Sequence, residues 1–176
     1  MTDQPGASAQ PRQQIIHLLR TAQQNQLQLI LMADQKASIL IGGALILLTI
    51  LATQLNRADP NPILLVLAVT AVLAAVFAIL AAKPRILPAP APDSDRFNLL
   101  FFGHFTRLPQ ADYLKRIEAV IEDEADSYRA IARDIYQMGQ VLKGKYRFLA
   151  YSYRTFLAGL AVTAFGLVYQ YLAAGL

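Results

Sequence analysis

Three runs free of ionisable side chains set the pattern of this chain. Ala37–Leu55, Ile63–Ala82 and Thr155–Leu176 contain no Asp, Glu, Lys, Arg or His. At 1.5 Å rise per residue, about twenty residues cover the roughly 30 Å hydrocarbon layer of a bilayer, so each run predicts a membrane-spanning helix. Ahead of the first run, from Arg12 onward, nothing breaks a helix until the pair Gly42–Gly43, which a membrane helix tolerates. Ile16, Leu19, Ile30 and Ala33 recur at helical spacing, whereas Gln23, Gln24, Asn25, Gln26 and Gln28 are too polar for lipid. One helix of roughly forty residues, about 60 Å long, therefore projects from the membrane before crossing it. In the second run Ala71, Ala74, Ala75, Ala78 and Ala82 supply the small-residue spacing that lets helices approach closely.

Lys83-Pro84-Arg85 stops the second span, and Pro88, Pro90 and Pro92 alternate with alanine in a short, stiff linker of polyproline type. Pro109 can open the next helix. From there Leu114, Ile117, Ile121, Tyr128, Ile131, Ile135, Met138 and Leu142 fall on alternating three- and four-residue steps, interrupted only by Glu124. That register predicts one amphipathic helix over 110–145 with a single buried seam, able to continue into the third span. Tyr146, Phe148, Tyr151 and Tyr153 read as an inner aromatic belt, and Tyr169 and Tyr171 as the outer one. The expected organisation is a disordered tail over 1–11, an N-terminal helix over 12–36, spans over 37–55 and 63–82 joined by a turn at 56–62, and a region of linker, aromatic segment and amphipathic helix over 83–147. A third span with an interfacial start follows over 148–176. The fold class is an all-α membrane protein, with three transmembrane helices and long helices extending into a cytoplasmic helical stalk.

Composition agrees: 55% of the 176 residues are apolar, high for a soluble domain. A net charge of +4 would ordinarily raise the question of a nucleic-acid polymer, but the positions answer it otherwise. Of the 16 Lys and Arg, only Arg57 lies between the first two spans and none follows Thr155; the rest sit before Ala37 or between Lys83 and Arg154. The positive-inside rule then puts the N-terminus and the 83–154 region in the cytoplasm, and the short turn and the C-terminus outside. Met1–Pro11 lacks the basic and apolar regions of a signal peptide, so the first span is expected to be its own uncleaved insertion signal. No cysteine is present, which excludes disulfides and thiolate metal sites.

Catalytic chemistry finds no support. His17 and His104 stand in no metal-ligand spacing, and Glu118, Glu122, Asp123, Glu124 and Asp126 point several ways on a helix, as a solvated face does. No P-loop, G-x-S-x-G or H-E-x-x-H occurs, so no catalytic residue, metal or cofactor is expected. Asp34 and Lys36 lie where the first span begins, two residues apart and so on different sides of the helix. Lys36 reads as a topological anchor. Asp34, an acid where bases are expected, calls for a specific partner: Lys145, Arg147 or Arg154, at similar depth on the third helix. The set Arg96, Asn98, Phe101, Phe102, His104, Phe105 and Arg107 joins cations to stackable rings, the ingredients for a small anionic ligand carrying a base. A segment packed against the helices or lying at a basic membrane surface has the same composition, and both readings stand.

Three stretches together resemble one family. Ala33-Asp34-Gln35-Lys36-Ala37, Asn98-Leu99-Leu100-Phe101-Phe102-Gly103-His104-Phe105, and the block Asp134-Ile135-Tyr136, Val141-Leu142 and Lys143-Gly144-Lys145-Tyr146, followed by Tyr153 and Phe156, are similar in order and membrane placement to motifs of the Pycsar effector transmembrane family. The resemblance implies a bacterial antiphage effector, multi-pass in the inner membrane. A partner cyclase makes cyclic CMP or cyclic UMP on infection, and the effector then impairs that membrane. It does not say whether the helical cytoplasmic part binds the nucleotide or something else does. Asp134 and Tyr136 of the matching block join Asp34, Lys36, Lys145, Arg147 and Arg154 as candidates for holding or gating the helices. Three spans leave little room for an aqueous path within one chain, so a pore implies a homo-oligomer. The alternative is a membrane-anchored scaffold that recruits a soluble partner through its cytoplasmic helices.

Overall fold

The structure, a computed structural model, describes residues 9–56, 61–84 and 88–174. Residues 1–8 of the expected tail, Arg57 and Pro60 of the expected turn, and Arg85 after the second span lie outside the described residues. The elements are α1 (Ala9–Leu55), α2 (Pro62–Ala82), the single turn α3 (Phe102–Phe105), α4 (Gln110–Glu122) and α5 (Glu124–Ala174), and no strand occurs among the described residues. α1, α2 and α5 are long and apolar enough to cross a membrane, which makes this an all-α, multi-pass membrane protein. The chain divides into two units. Residues up to Leu29 with Pro84–Leu142 form a polar unit, and Ile30–Lys83 with Lys143–Leu176 form a membrane unit.

In the membrane unit small residues do the packing. α2 buries Leu67, Ala68, Ala71, Ala74, Ala78 and Ala81, while Val69, Val72, Val76 and Ile79 remain exposed for lipid. Lipid tails are as apolar as leucine, so helices in a bilayer associate through close contact and hydrogen bonds rather than through hydrophobic burial. The alanine stripe allows that contact on two sides. Ala78 and Ala81 pack with Ala33 and Ala37 of α1 and Leu149 of α5, and Leu67 and Ala68 pack with Leu51 of α1. α5 answers with glycine: a Cβ on Gly159 would lie 2.5 Å from Thr70 Cβ, and one on Gly166 2.8 Å from Ile63 Cδ1. Ser152 adds a buried hydrogen bond, its hydroxyl donating to the Ala74 carbonyl at 2.7 Å. Asn61 caps the start of α2 by accepting from the Ile63 N–H at 3.0 Å, with Pro62 in the first turn, where a missing N–H costs nothing.

The polar unit departs from the expected single helix over 110–145, which is two helices broken at Asp123. That residue is extended (φ −101°, ψ 113°), and its Oδ1 accepts from the Ala125 N–H at 2.7 Å and the Asp126 N–H at 3.4 Å. The carboxylate thus satisfies the orphan donors at the start of α5, a cap of about 1 kcal/mol, with Glu124 and Asp126 adding favourable charge in that first turn. Ser127 ties the corner, donating its hydroxyl to the Val120 carbonyl at 2.6 Å. As a result the seam is not one line: Ile131, Ile135, Met138 and Leu142 are partly buried, while Leu114 and Ile121 stay exposed. Pro109 stands one residue before α4 rather than inside it. Phe97, Asn98, Phe101, Gly103 and His104 are buried in this unit, so the aromatic segment is a packed one.

Because no slack exists at Gly159, Gly159→Val should force α2 and α5 apart. The overpacking cost is about 1–3 kcal/mol, read as a lower melting temperature of the detergent-solubilised protein. Gly139→Ala, where an added Cβ meets only the Gln26 side chain at 3.5 Å, should not lower that temperature.

Candidate functional site

Asn98 is the centre of the polar unit. Its Nδ2 donates to Asp134 Oδ1 and to Gln137 Oε1, both at 3.0 Å, and its Oδ1 accepts from the Leu100 N–H at 2.8 Å. Asp134 accepts at its other oxygen from Gln23 Nε2 at 2.7 Å, which brings in α1. Asp134 and Gln137 lie three residues apart on α5 and so share a face, which is why one asparagine reaches both. Gln137 also donates to the Arg96 carbonyl at 3.2 Å, and Arg133 to the Phe97 carbonyl at 2.9 Å. Segment 96–98 is therefore held to α5 by side chains that satisfy its backbone, as a buried non-helical stretch requires.

His104 completes the knot. Its Nδ1 accepts from the Asn98 N–H at 3.1 Å, which places the proton of the neutral ring on Nε2. That nitrogen is buried without a hydrogen bond of full geometry. The ring packs against Phe97 and, edge-on, Phe101, with centroids 5.5 Å and 5.1 Å away. Burial lowers its pKa below the ordinary 6.5; the Pro88 carbonyl opposes the shift and Arg107 reinforces it.

Beside this knot lies a cavity of about 440 Å³, walled by Asp95, Phe97, Asn98 and Leu99, Val120 of α4, and Asp126, Arg129, Ala130 and Arg133 of α5. A groove of about 400 Å³ adjoins it, sharing Phe97, Leu99, Val120 and Arg133 and adding Asp93 and Arg116. Most charges here are matched: Arg129 pairs with Asp126 at 3.0 Å and Arg116 with Asp93 at 2.7 Å. Among the described residues Arg133 has no carboxylate partner and Asp95 no cationic one.

The membrane unit holds a separate polar cluster. Lys145 is buried, and its ammonium donates to Asp34 Oδ1, to the Ala81 carbonyl at 3.2 Å and to the Ala82 carbonyl at 3.4 Å. Those carbonyls are among the last of α2, where orphan acceptors and the negative end of the helix dipole favour a cation. One ammonium with three donors thus joins α1, α2 and α5.

Of the residues singled out from sequence for a ligand, Asn98 lines the cavity, but its side-chain donors and acceptor are spent on the protein. Phe101 and His104 are buried in packing, Phe105 is half-buried against Tyr113 with centroids 5.1 Å apart, and Arg96, Phe102 and Arg107 are exposed. Among the holding or gating candidates, Asp134 sits in the knot and Asp34 with Lys145 in the clip. Lys36, Tyr136, Arg147 and Arg154 are exposed, with Arg147 lying over the Phe148 ring at 5.5 Å. Sequence reasoning passed over Gln23, Arg129, Arg133 and Gln137. The signal was the spacing of Arg129, Arg133 and Gln137 at i, i+4 and i+8, one polar stripe on a helix read only for its apolar one.

A family model described as "Pycsar effector protein domain" matches residues 17–171. No curated protein and no solved structure matches the chain.

Two outcomes follow from the geometry. Lys145→Met should destabilise the detergent-solubilised protein by about 2–3 kcal/mol, less than for a fully buried pair because Asp34 is part-exposed. In the double variant with Asp34→Asn the loss should be clearly smaller than the sum of the single losses; strict additivity would mean that the two groups do not act together. For His104 the folded-state pKa is depressed, so the unfolded chain binds the proton more readily between that value and 6.5. Stability is then full above about pH 6.5 and falls as the pH drops through the folded value. Chemical denaturation monitored from pH 7.5 to 5 should show this fall, and His104→Gln should flatten it.

Proposed function

Because the chain belongs to the Pycsar effector family, we propose that it acts as follows in bacterial antiphage defence. It sits in the inner membrane with its N-terminus and polar unit in the cytoplasm and its C-terminus outside. There it responds to a cyclic pyrimidine mononucleotide, cyclic CMP or cyclic UMP, made by a partner cyclase. The response is an oligomeric leak in the membrane, and no catalytic group in this chain is needed for it. The observation that carries this reading is the extent of the family match, which takes in both the polar unit and membrane-capable stretches of α1, α2 and α5. The distribution of Lys and Arg supports the orientation. Oligomerisation is supported by the small number of spans and by α1, where, among the described residues, none lies within 4 Å of a Cβ added at Gly42 or Gly43.

Such a switch works only if the nucleotide favours one arrangement over another; tight binding to both would move nothing. α1 and α5 each contribute residues to both units, and these helices carry the signal in our reading. In bacteria expressing the chain, supplying cyclic CMP or cyclic UMP should depolarise the membrane within minutes by a potential-sensitive dye, while cyclic AMP should not. An unchanged potential with all three nucleotides would favour a scaffold that recruits a soluble partner instead.

A further inference from the structure

We infer that the cavity between segment 95–99, α4 and the start of α5 is the ligand site, with Arg133 taking the phosphate and Asp95 the hydrogen-bond donors of the ligand; this rests on the nucleotide reading above. The aromatic segment does not offer a competing site. Its buried rings contact one another, and its exposed residues Arg96, Phe102 and Arg107 line neither the cavity nor the groove beside it. The cavity, at about 440 Å³, falls within the roughly 300–1,000 Å³ typical of small-molecule sites. Its wall combines apolar surface from Leu99, Val120 and Ala130 with a few convergent polar groups.

The charges specify the ligand class. Arg129 and Asp126 neutralise each other, which leaves one cation, Arg133, and one carboxylate, Asp95, uncompensated. Arg133 is partly buried, and one of its nitrogens is committed to the Phe97 carbonyl. The remaining N–H groups of a guanidinium form a fork suited to the paired oxygens of a phosphodiester. Asp95, being acceptor-only, selects for N–H or O–H groups elsewhere on the same molecule and against a second negative charge. A ligand with a single phosphate charge, hydroxyls and an N–H-bearing ring meets these demands, whereas a polyanion does not. Because the bond to the Phe97 carbonyl uses a different nitrogen, the bound ligand is joined through Arg133 to the segment that Asn98 anchors to Asp134.

Calorimetry on the full-length, detergent-solubilised protein tests the site with cyclic CMP, cyclic UMP and cyclic AMP as probes. Arg133→Gln should weaken pyrimidine-nucleotide binding roughly tenfold or more, Asp95→Ala should weaken it several-fold, and Ala130→Trp, which breaks no hydrogen bond and fills the cavity, should abolish it. Lys115→Gln, an exposed charge on α4 away from the cavity, should bind as the parent does. Dye release from vesicles holding the same proteins is measured in parallel. Parental affinity in Ala130→Trp and Asp95→Ala would overturn the site while leaving the effector reading intact. Nucleotide bound in the cavity without dye release would overturn the leak and leave the site. No heat from the parent with any probe overturns the site itself.

Discussion

The Lys145 ammonium is the constraint on which the membrane unit depends. A cation buried at the end of a span must find acceptors, since none are available from lipid. Asp34 on α1 and the Ala81 and Ala82 carbonyls at the end of α2 supply them. Those acceptors lie on both other spanning helices, so the charge is satisfied only when all three meet at this level. At its other end α2 is tied to α5 again, Asn61 Nδ2 donating to Gln170 Oε1 at 2.7 Å. Lys145 and Gln170 are separated by about 37 Å of helix at 1.5 Å per residue, enough to cross the hydrocarbon layer. The two polar clips therefore set the register of α2 on α5, and the Ala74–Ser152, Thr70–Gly159 and Ile63–Gly166 contacts between them are close in that register.

The polar unit solves a different problem by related means. Segment 88–101 is not helical, yet much of its end is buried, so its backbone groups need partners from outside any regular ladder. Arg133 and Gln137 reach across to the Phe97 and Arg96 carbonyls, while Asn98 spends its amide on Asp134 and Gln137. This network is nearly closed, and the exceptions are specific: among the described residues His104 Nε2 and Gln26 Oε1 are buried without a hydrogen bond of full geometry. A network of this kind rigidifies what it joins when its members are satisfied, and is sensitive where one is not. Burial is what lowers the His104 pKa, and a second ring proton, on Nδ1, would also cost the bond from the Asn98 N–H.

The spans were legible in sequence because lipid penalises charge strongly enough to leave uncharged runs, and the partner of Asp34 could be narrowed to Lys145, Arg147 and Arg154 by depth along a helix. Rotation about that helix, which decides among them, needs the position of α2's end. Asp123 was not legible as a break. Heptad periodicity reads only the apolar positions, and a capping aspartate among acidic neighbours looks like any solvated residue until its carboxylate is seen on the Ala125 N–H. The aromatic segment was open to two readings for a related reason. Rings and cations close in sequence resemble a stacking site, but Phe97, Phe101 and His104 satisfy one another. Arg129 and Arg133, on the polar face of an amphipathic helix, carry no signal of their own in sequence; only the fold brings them to one cavity with Leu99 and Val120.

These features bear on where movement can occur in the proposed effector. α2 and α5 are close-packed at Gly159 and Gly166 and clipped at both ends, so sliding one along the other would break polar bonds and open voids together. α1 is held differently. It joins Lys145 through Asp34 and packs through Ala33, Ala37 and Leu51, while a Cβ added at Gly42 or Gly43 would meet no other described residue within 4 Å. Interiors packed without voids respond to a ligand by switching between discrete arrangements rather than by stretching. The polar-unit portion of α1 carries Gln23. Its bond to Asp134 ties it to the same carboxylate that anchors Asn98 and the wall of the cavity.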